Sequence, residues 1–334
     1  MTPAVSVLLP VRDARATLPA CLRSLRAQTL RDHEVVAVDD GSTDGSGEML
    51  EAWARRDRRL RVVRTPPRGL VAALNAAGSL ARAGLLARMD ADDVAHPERL
   101  ALQAARLLAD PATAILGCRV RLIGGHAPGN AGMRAYVRWL NGLLDHDAIT
   151  RDLLVESPLA HPSVMMRASA LQALGGYREF DGPEDYDLWL RAWRAGLRFA
   201  KVKRPLLLWR DGPHRLTRRD PRYAPARFQA LKLAALLAGP LRAERRVVVW
   251  GAGPIGKGWA RALGAARVAA FVEVAPGRIG QTIHGVPVVE VAAAARFPGA
   301  LHLAAVGRPG ARERIREEAR RLGLRDGRDL VAVA

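Results

Sequence analysis

The chain has 334 residues, more than one domain usually holds, so two hydrophobic cores are expected. With 49% hydrophobic and 25% charged residues it is too apolar for a disordered chain. Its longest apolar stretch, residues 231–241, is too short for a bilayer and is interrupted by Lys232, Gly239 and Pro240. The net charge of +19 sits almost wholly on arginine, which with abundant Ala, Gly and Leu is also what a GC-rich genome produces; Lys201, Lys203, Lys232 and Lys257 are the only lysines.

In chain order, residues 5–9 read as a strand with no basic start or apolar signal core before it, and a cytoplasmic location is expected. Residues 14–27 follow as a helix, with Leu18, Cys21, Leu22 and Leu25 at helical spacing. Residues 34–38 form a second buried strand running into Asp39-Asp40-Gly41-Ser42. A helix over 46–55, a strand over 60–64, a helix over 70–81 and a strand over 85–89 come next. Strands alternating with helices predict right-handed crossovers and a mainly parallel sheet. Residues 112–209 are less regular, with a strand expected over 161–166 and a helix over 186–195. A helical linker over 225–237 ends at Gly239-Pro240, and a new βα pattern starts at 246–250. The expected division is therefore a first domain over 1–238 and a second over 244–334, with the boundary near 239–244. Cys21 and Cys118 are isolated, so neither a zinc site nor a disulfide framework is expected.

Ligands on parallel sheets bind beyond the carboxyl ends of the strands. That rule selects Pro10-Val11-Arg12, Asp39-Asp40 and Asp90-Ala91-Asp92-Asp93. Asp90-x-Asp92 offers hard oxygen ligands that suit Mg²⁺ or Mn²⁺, which bind one or two carboxylates together with phosphates. An isolated Asp-x-Asp is more often a solvated turn; its place after an apolar strand favours a site. Asp39-Asp40 can accept from a base N–H or a ribose hydroxyl, while Asp44 or Ser46 suits a helix cap. Glu184-Asp185 opens a helix, where acids favour the dipole. A carboxylate there can also take a proton from an attacking hydroxyl.

Four ordered motifs together resemble glycosyltransferase family 2. They are Val5-Ser6-Val7-Leu8-Leu9-Pro10, Val38-Asp39-Asp40-Gly41-Ser42-Thr43-Asp44-Gly45, Met89-Asp90-Ala91-Asp92-Asp93 with Pro97-Glu98-Arg99-Leu100, and Glu184-Asp185-Tyr186-Asp187-Leu188-Trp189-Leu190-Arg191. His161-Pro162-Ser163-Val164-Met165-Met166 and Gly175-Gly176-Tyr177-Arg178 add to the match, which spans roughly the first 215 residues. The resemblance implies a GT-A nucleotide-diphospho-sugar transferase domain, and the βα pattern after it completes the α/β chain with what looks like a small Rossmann-like domain. It implies an inverting transferase using a nucleotide-diphosphate sugar, a UDP-sugar first, and a glycan, lipid-linked or polysaccharide-precursor acceptor. By that match Asp40 and Asp39 contact base and ribose, Pro10 and Val11 line the base pocket, and Asp90 faces ribose or sugar. Asp92 holds the metal, Mn²⁺ or Mg²⁺, and Asp185 is the general base. His214 is a weaker candidate for a metal or phosphate contact, and Glu184 a weaker site residue.

In the second domain Val247-Val248-Val249-Trp250-Gly251-Ala252-Gly253-Pro254-Ile255-Gly256 has the strand, glycine turn and helix of a dinucleotide site. Gly251, Gly253 and Gly256 are the candidate glycines, and Glu273, after the strand over 268–272, could reach a ribose. The same glycines also suit tight βα packing. Two other readings follow: an NAD(P)-dependent oxidoreductase or nucleotide-sensing protein centred on this domain, and a non-catalytic binder of sugar nucleotides or polyanions. No zinc-finger spacing or RNA-binding aromatic motif accompanies the arginines, so no nucleic-acid partner is expected. The basic surface leaves room for peripheral contact with an anionic membrane.

Overall fold

The computed structural model describes residues 2–124, 131–212, 215–241 and 244–334, and these form two compact units. The first comprises Met1–Ile149 and Pro158–Ala224, the second Thr150–Ser157 and Pro225–Ala334. Among its described residues the first unit holds eight strands: β1 (Val5–Val11), β2 (His33–Asp40), β3 (Leu60–Thr65), β4 (Leu85–Arg88), β5 (Val94–Ala95), β6 (Thr113–Gly124), β7 (Met165–Arg167) and β8 (Arg198–Asp211). They lie in the order β3-β2-β1-β4-β7-β6-β8-β5. The first four are parallel, and every residue of β1, β2 and β4 is buried, as near-continuous apolar runs covered on both faces require. β7 is antiparallel to both β4 and β6, so it turns the parallel half of the sheet into a mixed one.

The helix Leu18–Arg26 buries Leu18, Cys21, Leu22 and Leu25, the face its spacing predicts, and each leucine so buried contributes about 1.5–3 kcal/mol. Helices Ser46–Ala54, Leu70–Leu80 and Glu184–Arg194 agree with expectation to within about two residues. The expected strand over 161–166 is different. His161–Ser163 is a 3₁₀ turn, because Pro162 has no N–H to give a ladder, and pairing begins only at Met165. The two long strands of the middle segment went unforeseen. β8 pairs with β6 through register shifts around Arg119, where Lys203 and Arg204 have no partner in the ladder, and that bulge breaks the alternation a strand pattern needs.

The second unit contains β9 (Val247–Trp250), β10 (Val268–Val272), β11 (Thr282–Ile283), β12 (Val286–Val289), β13 (Leu301–Ala304) and β14 (Leu330–Ala332), in the order β11-β12-β10-β9-β13-β14. All pairings but that of β11 with β12 are parallel, the arrangement of a small doubly wound fold. The chain divides between Ala224 and Pro225, ahead of the boundary expected near 239–244, and Thr150–Ser157 joins the second unit. Contacts explain this. Lys232, on the helix Pro225–Leu237, donates to the Val155 carbonyl at 2.7 Å, Asp152 pairs with Arg312 and Arg316, and Val155 packs on the second core. Among the described residues no helix is long and apolar enough to cross a membrane.

Candidate active site

The parallel strands of the first unit deliver the motifs at their carboxyl ends. Pro10 and Val11 end β1 and pair with Val38 and Asp39 of β2, while Asp39 and Asp40 pair with Arg64 and Thr65 of β3. The loop after β1 is stitched to the loop after β2. The Asp13 N–H donates to Ser42 Oγ at 3.0 Å, the Thr43 N–H to Asp13 Oδ1 at 2.8 Å, and the Arg15 N–H to Asp44 Oδ2 at 2.8 Å. Asp44 also accepts from the Ser46 N–H at 2.9 Å, which closes the turn before the helix; the cap position itself falls on Gly45, not on Asp44 or Ser46 as expected.

Asp39 and Asp40 are both buried but differ in what they have left to offer. Asp40 accepts from the backbone N–H of Arg68 at 2.6 Å and of Gly69 at 2.9 Å, with Arg12 3.3 Å away. Its carboxylate therefore holds the turn that starts the helix Leu70–Leu80. Asp39 accepts the Ser42 N–H through Oδ1; Oδ2 faces Arg64 Nε at 3.4 Å and has no hydrogen bond among the described residues.

After β4 come three carboxylates, Asp90, Asp92 and Asp93, whose ligand oxygens all lie within 4.8 Å of one another. Asp90 is paired with the buried guanidinium of Arg88. Burial, reinforced by the charge of Asp90, pushes the Asp92 carboxyl up to about 6. The same two causes, with Asp92 added, raise Asp93 well above the usual carboxylate range. Asp93 Oδ1 accepts the Arg210 N–H at 2.7 Å, and Oδ2 is buried without a hydrogen bond among the described residues. Crowded, partly desolvated carboxylates with an orphaned oxygen are the donor set a hard divalent cation satisfies, so the residues fit such an ion. The segment is anchored from behind. Arg99, fully buried, donates to the Arg88 carbonyl at 2.7 Å and to Gln103 at 3.1 Å, and Arg210 Nε donates to the Asp92 carbonyl at 2.7 Å.

Asp185 sits half-buried in the first turn of the helix Glu184–Arg194, and its Oδ1 accepts the Tyr186 N–H at 2.7 Å. Glu184 beside it is buried. Burial works against its charge, but bonds from His161 and Tyr223 outweigh this and keep its carboxyl below the usual range. Arg88 acts electrostatically on both Asp90 and Glu184, which links the acidic triplet to this helix. His214 lies outside the described residues; the next residue, Arg215, stacks over Trp209 at 4.3 Å and acts on Asp92. Asp93 was picked out with its triplet but given no role, and His161 stood in a matched motif without one; Arg88 and Tyr223 escaped the sequence reading, although Arg88 left a signal, a charge inside an otherwise apolar strand.

In the second unit packing requires two of the three candidate glycines, Gly251 and Gly256. A Cβ on Gly256 would lie 1.8 Å from the Gly251 carbonyl oxygen, so only glycine lets the helix Pro254–Leu263 approach the strand end. Gly251 has φ of 104°, and a Cβ there would meet Val306 at 2.5 Å, whereas around Gly253 there is open space. Glu273 follows β10 as expected. Its carboxylate accepts the N–H of Ala252 at 3.2 Å, of Val274 at 2.9 Å and of Ala275 at 3.3 Å, and pairs with Arg278.

The family model "Glycosyl transferase family 2" matches residues 6–175. "Putative glycosyltransferase EpsE" of Bacillus subtilis (strain 168) is 29% identical over 227 residues, covering 66% of this chain and 78% of that protein. "Amylovoran biosynthesis glycosyltransferase AmsE" of Erwinia amylovora is 30% identical over 246 residues, covering 71% and 88%. Among solved structures, S. aureus TarS 1-349 in complex with UDP-GlcNAc matches with a TM-score of 0.57 at 19% identity, over 71% of this chain and 68% of that one. The mannosyltransferase PcManGT from Pyrobaculum calidifontis, in complex with GDP-Man and Mn²⁺, matches with a TM-score of 0.51 at 20% identity, over 80% of each chain. At these identities the two structures speak for a shared fold, the GT-A arrangement of the first unit. The family match covers half of the chain and agrees with the carboxylates at the strand ends: the protein belongs to glycosyltransferase family 2 and is a glycosyltransferase.

Proposed function

We propose that this enzyme moves a sugar from a nucleotide-diphosphate donor, a UDP-sugar first, to a hydroxyl of a glycan, lipid-linked or polysaccharide-precursor acceptor, with inversion at the anomeric carbon. The observation that carries the reading is the triplet Asp90, Asp92 and Asp93, whose oxygens converge within 4.8 Å at the end of β4. TarS bound to UDP-GlcNAc and PcManGT bound to GDP-Man and Mn²⁺ support the donor class, and the name of AmsE supports a polysaccharide setting.

Asp92, with Asp90 and Asp93 beside it, would hold Mn²⁺ or Mg²⁺. Such an ion supplies positive charge where negative charge builds on a departing diphosphate. Pro10 and Val11 frame the base pocket, with Asp39 offering its unbonded Oδ2 and Asp40 shaping the pocket wall through the Arg68–Gly69 backbone. Asp185 takes the proton of the acceptor hydroxyl as its oxygen attacks the anomeric carbon from the face opposite the diphosphate. General-base help of this kind is worth about 10²–10⁴-fold. The alternative centred on residues 251–256 is weakened by Glu273, whose carboxylate is taken up by the backbone of its own loop and of Ala252.

Thermal melting with UDP, GDP, dTDP and NAD(P), each with Mn²⁺ or with EDTA, tests the reading without a known acceptor. The expected result is a metal-dependent stabilisation by one nucleoside diphosphate that Asp92→Ala abolishes. Stabilisation by NAD(P) alone would transfer the function to the second unit.

A further inference from the structure

The helix that carries Asp185 starts inside a buried hydrogen-bonded chain that the reaction above leaves unused. The Tyr223 hydroxyl donates to Glu184 Oε2 at 2.6 Å, and Glu184 Oε1 lies 3.5 Å from His161 Nδ1. His161 Nε2 is 2.9 Å from the Tyr177 hydroxyl, and its ring meets Trp189 edge-on at 5.9 Å. Tyr177 is held in turn by Asn75, which accepts its N–H at 2.9 Å and donates to its carbonyl at 2.8 Å. His161, Tyr177, Glu184 and Trp189 are all buried.

Each link comes from a different piece of chain. His161 belongs to the 3₁₀ turn before β7, Glu184 to the first helical turn, and Tyr223 to the 3₁₀ turn Pro221–Tyr223. That last turn is shaped by Asp220, which accepts the Arg222 N–H at 3.0 Å and pairs with the Arg222 guanidinium at 2.6 Å. An acid in a first helical turn usually serves the free N–H groups or the dipole of its own helix. Glu184 accepts from its own N–H and in addition directs its two oxygens outward, to His161 and Tyr223. A buried carboxylate kept ionised in this way is expensive to disturb, because losing one partner leaves a charge without its hydrogen bond. Asp185 is the next residue, so whatever holds the Glu184 side chain holds the backbone from which Asp185 projects. Farther along the helix Arg191 ties Asp187 at 2.7 Å to the carbonyls of Leu174 and Gly176, which steadies the body of the helix but not its first residues.

We propose that Glu184, clamped between Tyr223 and His161, sets the position of Asp185. These three are positioning residues, acting through the helix start and not on donor or acceptor. The inference rests on Asp185 as general base. Loosening the clamp shifts the aim of Asp185 and leaves the donor pocket alone, so turnover falls while donor affinity stays. A displacement of about 1 Å at a reacting group can lower rates about 10²-fold.

The test compares Tyr223→Phe, Glu184→Gln, Glu184→Ala and Asp185→Asn in the full chain. The substrate is whichever of a set of UDP-, GDP- and dTDP-sugars the unaltered enzyme turns over fastest with Mn²⁺. Hydrogen exchange of the first turn of the helix is followed in parallel. Tyr223→Phe should lower kcat about tenfold with donor KM within about twofold, and should speed exchange in that turn but not in the helix Leu70–Leu80. Glu184→Gln, which still offers an acceptor to Tyr223, should recover much of what Glu184→Ala loses. If Asp185→Asn is inactive while Tyr223→Phe and Glu184→Ala turn over normally, the clamp is overturned and the base stands. If Asp185→Asn turns over normally, the base falls, and unchanged exchange in Tyr223→Phe then overturns the clamp as well.

Discussion

Both units carry acids after the ends of parallel strands, yet the two sets are left in opposite states. In the second unit Glu273 is fully engaged by three backbone N–H groups and Arg278, and those bonds keep its carboxyl below the usual range against the effect of burial. In the first unit Asp92 and Asp93 are driven upward by burial and by the charge of Asp90, and Asp93 Oδ2 has no hydrogen bond among the described residues. An acid satisfied by its own loop stabilises that loop. Acids that repel one another in a half-buried place make a site complete only with a cation. Position in the fold is thus shared by satisfied and unsatisfied carboxylates, and the difference lies in how many of their bonds the protein itself supplies.

The largest effect expected from breaking this contrast is chemical. Asp185→Asn should lower transfer by about 10²–10⁴-fold with nucleotide binding retained, measured as sugar transfer beside calorimetric binding. Gly256→Ala comes next. Its methyl would meet the Gly251 carbonyl, which neither side can yield, so the second unit should lose about 3 kcal/mol or more in urea melts.

Acid should separate the units in a fixed order. Burial, then Arg245, holds the His302 imidazole down at about 4, far below its value of 6.5 when unfolded. Between those values the unfolded chain binds a proton that the folded one does not, so the second unit loses stability as pH falls from 6.5 to 4, by about 3 kcal/mol. Glu34 behaves alike at lower pH. Burial would raise its carboxyl, but Ser6, Arg82 and Arg61 outweigh that and bring it to about 2 from 4.5. Its contribution to the first unit, also about 3 kcal/mol, is therefore present above 4.5 and lost as pH falls towards 2. His302→Phe should flatten the upper loss and Glu34→Gln the lower one, read as unfolding free energy against pH. A single acid transition untouched by either change would refute this order. Smallest of all is Gly253→Ala, which meets nothing within 4 Å and should shift melting by less than about 0.5 kcal/mol.

Much of this was legible in the residues. The buried parallel strands announced themselves as apolar runs, and the helix Leu18–Arg26 as a spacing of three and four, because local periodicity records which face is covered. The acids after β2 and β4 were picked out by combining that pattern with the rule for strand ends, while those at the start of the helix Glu184–Arg194 stood out only through the family motif. The bulged pairing of β6 with β8 stayed hidden, since no local signal says which of two irregular segments will share a register. The boundary was misplaced for a related reason: the helix Pro225–Leu237 reads as a linker until Lys232 is seen to meet Val155 and Asp152 to meet Arg312 and Arg316.

The sequence by itself determined the class of fold, the order of the elements and the chemical types available at each strand end, because these depend on neighbours a few residues apart. Only the tertiary structure decided which acids are spent and which are kept free. Asp40 is consumed by the Arg68–Gly69 backbone, Glu273 by its own loop together with Ala252 and Glu184 by Tyr223 and His161, while Asp92 and Asp93 are crowded together without enough donors. A carboxylate's state is set by burial and by partners as far as 117 residues away, and neither quantity is written in the residues beside it.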